Sequence, residues 1–90
     1  MRKIETGRKE LALSGCDKME LVYYVTVDET GGTEFTEPFE VYGVGVTAGR
    51  EGALARGITT NADKIWRLTR MLAKHDVTPV GLGDVLQDLL

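Results

Sequence analysis

The stretch MELVYYVTV, residues 19–27, predicts a half-buried β-strand, because its side chains alternate between two faces. One face carries Met19, Leu21, Tyr23, Val25 and Val27. The stretch is rich in β-branched and aromatic residues, which favours a strand over a helix. The next segment, residues 28–33 (DETGGT), is typical of a turn, since its two glycines take positive φ without a steric penalty.

Three further segments are predicted to be strands of the same sheet. Pro38 precedes a run over residues 39–47, and a proline suits the start of a strand because it donates no ladder hydrogen bond. This run is expected to form an antiparallel hairpin with residues 19–27, in a register that the sequence leaves open. Residues 9–14 (KELALS) alternate weakly and predict an edge strand, and residues 53–59 (ALARGIT) are a fourth candidate.

Beyond residue 60 the hydrophobic period changes from two to between three and four, which predicts helices. Thr60 or Asn61 is expected to cap the first helix. Its apolar stripe comprises Ile65, Leu68 and Leu72. The helix should end before the Thr-Pro step at residues 78–79, because a residue before proline avoids helical angles.

A short second helix is predicted from residue 82 by apolar residues at helical spacing, namely Leu82, Val85, Leu86, Leu89 and Leu90. So short a helix needs a surface on which to dock. The sheet is the expected surface, and the groove of a partner is the alternative. The predicted fold class is therefore α+β, an antiparallel sheet of three to four strands followed by two C-terminal helices packed on one face. A single domain is expected over residues 1–90, with residues 1–59 mainly β and residues 60–90 mainly α.

The composition, 42% hydrophobic and 28% charged, is ordinary for a globular chain. One cysteine excludes an intramolecular disulfide, so a reducing cytoplasm is the expected location. No stretch approaches the ~18 apolar residues of a membrane span, and no apolar run follows the basic N-terminus as a secretory signal requires. No membrane partner is expected. The net charge of −3 disfavours nucleic acid as a partner, because such binding usually rests on a basic excess.

One face of the sheet is expected to remain uncovered by helices. The predicted interaction surface on that face consists of Val22, Tyr24, Phe39, Val41, Gly43 and Gly45. Exposed apolar side chains on an open sheet favour association, so a homo-oligomer is expected, with any further protein partner unidentified. The two glycines are predicted to leave a shallow strip on which another chain can approach closely.

The segment VYGVGVTAGREG, residues 41–52, contains the G-x-G-x-x-A spacing of a dinucleotide-binding loop. That motif needs a helix opening at its third small residue, whereas Gly49 and Gly52 disrupt a helix N-terminus here. Valines alternate with the glycines, which is typical of a strand. A purely structural segment is therefore the favoured interpretation, and a small-ligand or nucleotide site over Gly43–Gly49 is the alternative.

The first helix carries a basic face formed by Lys64, Arg67, Arg70 and Lys74. A solvated surface is the usual meaning of such a pattern. Weak nucleic-acid binding is the functional alternative, and it would need an exposed aromatic residue such as Trp66 for stacking.

No catalytic, cofactor-binding or metal-ligating residues are predicted. The single histidine, His75, lies at a helix C-terminus, where the helix dipole favours a cation, and lacks ligand-spaced partners. Cys16 and Ser14 form no recognisable nucleophilic pair with it. Acidic residues near the hairpin lack the spacing of a calcium loop. Enzymatic activity is left open but disfavoured.

The motif Y-G-V-x-V at residues 42–46, followed by V-x-P-x-x-L-x-D-V-L-x-D-L at residues 77–89, resembles a family of small clostridial and related Firmicute proteins of unknown function. The likeness covers residues 41–90, and the family implies no activity. The leading interpretation is a small bacterial cytoplasmic protein that acts as a non-catalytic protein-interaction or regulatory module and self-associates.

Overall fold

The computed structural model describes residues 1–12 and 18–89. Four strands come first, β1 (Arg2–Ala12), β2 (Lys18–Thr30), β3 (Phe39–Ala48) and β4 (Glu51–Thr59), and two helices follow, α1 (Ala62–Lys74) and α2 (Pro79–Leu89). The strands form one antiparallel sheet in the order β1-β2-β3-β4. The predicted α+β class is confirmed. Among the described residues, no helix is long and apolar enough to cross a membrane.

Successive residues of each strand lie on opposite faces of the sheet, and the register shows which residues of neighbouring strands share a face. Opposite residues in an antiparallel pair share a face, so Tyr23 lies beside Val46 and Tyr24 beside Gly45. The face under the helices, here called the covered face, holds the core residues Leu21, Tyr23, Val25, Val27, Val44, Val46 and Ala48. The helices complete this core with Ile65, Leu68, Leu72, Leu82 and Leu86. The opposite side of the sheet is here called the open face.

Strand β1 begins seven residues earlier than the sequence pattern predicts, at Arg2 instead of Lys9. Its pairing with β2 shifts between Glu5 and Gly7, which marks a β-bulge. Charged residues dominate the strand, because an edge strand buries little, and alternation of hydrophobic residues is therefore weak. The last predicted residues of this segment, 13 and 14, lie outside the described residues.

Helix α1 is capped at both ends by local hydrogen bonds. Asn61, rather than Thr60, is the N-cap, and its side-chain oxygen accepts from the backbone N–H of Lys64 at 3.1 Å. At the other end Asp76 has a φ of 54°, and the N–H of Val77 donates to the carbonyl of Leu72 at 3.1 Å. This is a Schellman-type end with aspartate where glycine is usual.

Helix α2 begins at Pro79, three residues before the predicted start. The rule against helical angles applies to Thr78, whereas the proline itself suits the first helical position, where no N–H is needed. Leu82 and Leu86 are buried in the core. The helix therefore docks within its own chain, as expected, and Leu82 and Leu86 are not available to a partner.

A buried tyrosine joins the sheet to the connection between the helices. The hydroxyl of Tyr23 donates to the carbonyl of Val77 at 2.9 Å, and the residue is 0% exposed. Lys9 on β1 pairs with the carboxylate of Asp76 and donates to the carbonyl of Ala73 at 3.2 Å. Burial, and secondarily the charge of Asp76, raises the pKa of Tyr23 above its ordinary value of 10.0.

Candidate functional site

The glycine segment forms a strand and a tight turn, not a phosphate-binding loop. Gly43 and Gly45 lie within β3, and Gly49 begins the two-residue turn to β4 with a φ of 60°. Glycine at the first position of such a turn is what a type II′ hairpin requires. A strand follows this turn, so the helix N-terminus that holds a pyrophosphate is missing. This geometry lacks the strand-to-helix form of the dinucleotide motif, and a small-ligand or nucleotide site over Gly43–Gly49 stays a prediction.

The expected strip above Gly43 and Gly45 is already filled by the chain itself. A Cβ on Gly45 would lie 2.2 Å from the ring of Tyr24, because that ring lies across the glycine. A Cβ on Gly43 would lie 2.2 Å from the carbonyl oxygen of Ala55 and 2.8 Å from the Cα of Arg56. Both glycines do lie opposite the helices, as predicted, but they accommodate neighbouring groups of the same chain and not a partner.

The remaining apolar surface of the open face is smaller than the sequence indicates. Tyr24 is only 8% exposed, and Val22 and Val41 are half-buried. Phe39 is 45% exposed. Leu54, which is not among the residues predicted for this surface, is 41% exposed and lies opposite Gly45 in the register.

Charged side chains on the open face pair with one another. Arg8 contacts Glu5 at 2.5 Å and Glu20 at 2.6 Å. Arg56 donates to both carboxylate oxygens of Asp28, at 3.0 and 2.6 Å. These hydrogen bonds hold the pKa of Asp28 below its ordinary value of 3.8, against the opposing effect of burial.

Tyr24 is also covered by a cation from the edge strand. The Nζ of Lys3 lies 5.1 Å from the centre of the Tyr24 ring, within the range of a cation–π interaction. The ion pairs and the cation–π contact on the open face are therefore formed within the chain, around a small apolar centre.

The outer surface of α1 is different. The predicted basic residues Lys64, Arg67, Arg70 and Lys74 are all exposed. None of them has a carboxylate partner within 4.0 Å among the ion pairs of the described residues. We call these four residues together with Trp66 the α1 face.

Trp66 lies between two shallow grooves and is 39% exposed. One groove, of about 280 Å³, separates α1 from the bulge of β1 and is lined by Thr6, Gly7, Trp66, Thr69, Arg70 and Ala73. The other is lined by Asp63, Trp66, Arg67 and Arg70. The indole and the Arg70 guanidinium thus border both grooves. In the described part of the chain, no cation lies over the indole as Lys3 lies over Tyr24.

The β2–β3 connection carries the opposite charge. Residues 29–38, which are the end of β2 and its connection to β3, are here called the hairpin tip, and they contain Glu29, Glu34 and Glu37 and no lysine or arginine. These three carboxylates have no ion-pair partner among the described residues. Phe35 at the tip is 94% exposed.

The other candidate residues show no catalytic arrangement in the described ranges. His75 is exposed and caps α1, where its N–H donates to the carbonyl of Met71 at 3.1 Å. Residues 1–12 and 18–89 contain no group of three metal-ligating side chains. Cys16 and Ser14 lie outside the described residues.

Two features of the structure go beyond the sequence predictions, and only the first has a signal in the sequence. Phe35 is an aromatic residue inside a segment of turn formers, and this position indicates an exposed side chain that does not pack in the core. The pair of Arg56 with Asp28 joins residues 28 positions apart, so it needs the β2–β3–β4 register. No local spacing in the sequence indicates it.

The fold defines the class of protein: a four-stranded antiparallel sheet with two C-terminal helices on one face. A family model described as "Family of unknown function (DUF6514)" matches residues 2–90, and the chain belongs to this family. The expected membership in a family of unknown function is confirmed, over more of the chain than residues 41–90. Neither the search of curated proteins nor that of solved structures finds a match.

Proposed function

We propose that the protein is a non-catalytic interaction module that self-associates through the open face of its sheet. The observation that carries this proposal is the apolar surface of that face, where exposed Leu54 lies across Gly45 from Tyr24. Half-buried Val22 and Val41 and exposed Phe39 extend this surface along the same face. Helices leave this side of the sheet uncovered, and sheets can stack face to face about 10 Å apart. A cytoplasmic location, inferred from the single cysteine, belongs to the same proposal.

The edges of the sheet are poorer contact surfaces than the face. β1 is an edge strand that carries many charges and a bulge, both of which discourage the addition of another strand. β4, the other edge, contains Gly57 at a φ of 67°, and its pairing with β3 shifts between Tyr42 and Val44. These irregularities favour association through the face.

The charge balance of the face suits a second copy of the same chain. By register the described residues place four cations there, Lys3, Arg8, Lys18 and Arg56, against four carboxylates, Glu5, Glu10, Glu20 and Asp28. Two such neutral faces bring no net repulsion to an isologous interface. A standard interface buries about 800 Å² per partner, about an eighth of the 6169 Å² surface of this chain.

The test is sedimentation equilibrium of the wild type and of Leu54→Glu at high ionic strength. The wild type is expected to form a dimer, and Leu54→Glu a monomer, because the carboxylate would lose its water at the centre of the interface. Val80→Glu is the matched control, since Val80 is 82% exposed on α2 and distant from the open face. It should remain dimeric.

Two results would contradict the proposal. One is a wild type that stays monomeric at high ionic strength up to millimolar concentration. The other is a dimer that Leu54→Glu leaves intact while both variants keep the wild-type circular dichroism.

A further inference from the structure

The hairpin tip is ordered by its own hydrogen bonds, although it has few contacts with the rest of the chain. The hydroxyl of Thr33 accepts from the N–H groups of Phe35 and Thr36 at 3.2 and 3.1 Å. Gly31, with a φ of 83°, allows the carbonyl oxygen of Glu37 to approach within 2.7 Å of where a Cβ would lie. The turn therefore presents Phe35 to solvent in a defined position, not as part of a loose loop.

The exposed phenyl ring lies among carboxylates that have no ion-pair partner within residues 1–12 and 18–89, and its surroundings complement those of the α1 face. That face offers an exposed indole among cations that likewise lack a partner in those ranges, next to a groove of about 280 Å³. A cavity of about 150 Å³ holds benzene, so the groove has room for one phenyl ring. Gly7 in the groove wall has no heavy atom within 4 Å of a Cβ position, which leaves that wall open.

We propose that the hairpin tip of one copy docks on the α1 face of a second copy. Phe35 enters the groove beside Trp66, and the carboxylates of Glu34 and Glu37 face Arg67 and Arg70. Opposite charges at these two sites attract, whereas contact between two tips or between two α1 faces places like charges together.

Reciprocal docking of two copies would give a closed two-fold pair with two identical contacts. This contact is distinct from the apolar interface of the open face and does not depend on it. Because its charges are exposed, it weakens as salt rises, whereas an apolar interface does not.

The experiment uses two charge-reversed variants in the Leu54→Glu background, which removes the proposed open-face interface. Variant one carries Arg67→Glu and Arg70→Glu, and variant two carries Glu34→Lys and Glu37→Lys. The unreversed background protein should associate at low salt, whereas each variant alone should be monomeric, because its tip and its α1 face have the same charge. An equimolar mixture restores opposite charges at both contacts and should associate at least about tenfold more tightly than either variant alone.

Trp66 is the only tryptophan of the chain, so its fluorescence reports the contact directly. Association of the mixture should shift the emission to shorter wavelength, because Phe35 displaces water from the indole. Addition of Phe35→Ser to variant two should remove that shift. Addition of Val80→Ser, an exposed apolar residue on α2, should keep it.

The proposal is overturned if the mixture remains monomeric at low salt, or if the reversed variants alone associate as the unreversed background does. It is also overturned if reversal on α1 changes only the binding of an oligonucleotide, because the α1 face would then serve a nucleic acid. All reversed side chains are exposed, so the thermal transition should match that of the background protein. If a reversed variant fails to fold, the neutral variants with glutamine at the same positions should weaken the low-salt association, and unchanged association would overturn the proposal.

Discussion

Tyr23 and Tyr24 are neighbours in the chain, yet they are buried in two different ways. Tyr23 lies on the covered face, is 0% exposed, and donates its hydroxyl to the Val77 carbonyl. Tyr24 lies on the open face, is 8% exposed, and rests on Gly45 under the Lys3 ammonium. Helices bury the first ring, whereas a missing side chain and an edge-strand cation bury the second.

The comparison shows that an open sheet face can bury an aromatic residue without a second layer. Glycine on the neighbouring strand lets the ring lie flat, in the space that a Cβ would occupy. The glycines of β3 are therefore part of the packing of this chain. We therefore expect substitutions at Gly43 and Gly45 to affect folding, although the sequence predicts a strip for another chain at these positions.

The largest loss of stability is expected from Gly43→Ala. Its Cβ would collide with the backbone of β4, so the strands must separate, at a cost of at least about 3 kcal/mol. Urea unfolding measures the loss. Gly52→Ala is the control, because its Cβ meets only the Thr47 side chain at 3.5 Å and a carbonyl at 3.8 Å. Equal stabilities of the two variants would contradict the close approach at Gly43.

Gly45→Ala should cost less, about 1–3 kcal/mol, because the tip of a side chain moves more readily than a backbone. The clash is with the Tyr24 ring alone among its three nearest atoms. In a Tyr24→Val background the same substitution should therefore cost little, which a double-mutant cycle measures. Additive losses would show that Tyr24 does not fill this space.

Tyr23→Phe should destabilise the protein by about 1–2 kcal/mol, because the buried carbonyl of Val77 loses its donor. Tyr24→Phe is the matched control, and it should change stability little. The raised pKa of Tyr23 means that the folded state favours the neutral phenol. Its contribution is complete below the unfolded pKa of about 10 and is lost as pH rises through the higher folded value. Unfolding from pH 8 to pH 11 should show a steeper decline for the wild type than for Tyr23→Phe.

The smallest effect on stability is expected from loss of the ion pair between Arg56 and Asp28 on the open face. Arg56→Gln removes the main cause of the lowered pKa of Asp28, so that pKa should rise toward 3.8. Because the pKa of Asp28 is lowered in the folded state, the ion pair stabilises the fold above the unfolded pKa. This contribution is lost as pH falls through the folded pKa. Carbon-detected NMR titration of the Asp28 carboxyl measures the change. An unchanged titration would show that Arg56 does not hold this carboxylate.

Periodicity predicted the elements that bury many apolar residues. β2 and the Ile65/Leu68/Leu72 stripe of α1 were found because burial imposes the strand and helix periods on them. The first half of β1 was missed, because an edge strand with charges on both faces carries no such pattern. The apolar spacing predicts a start of α2 at residue 82, which is too late, because Pro79 is itself the first residue of the helix.

The sequence by itself determined the α+β order, the covered face and the basic surface of α1, because these depend on local periods of apolar and charged residues. Only the tertiary structure decided that Tyr24 covers Gly45, that Arg56 meets Asp28 and that Trp66 lies beside a groove. Those contacts depend on strand register and on how α1 lies over β1. A shift of one residue in the register of a strand would move all of its side chains to the opposite face of the sheet.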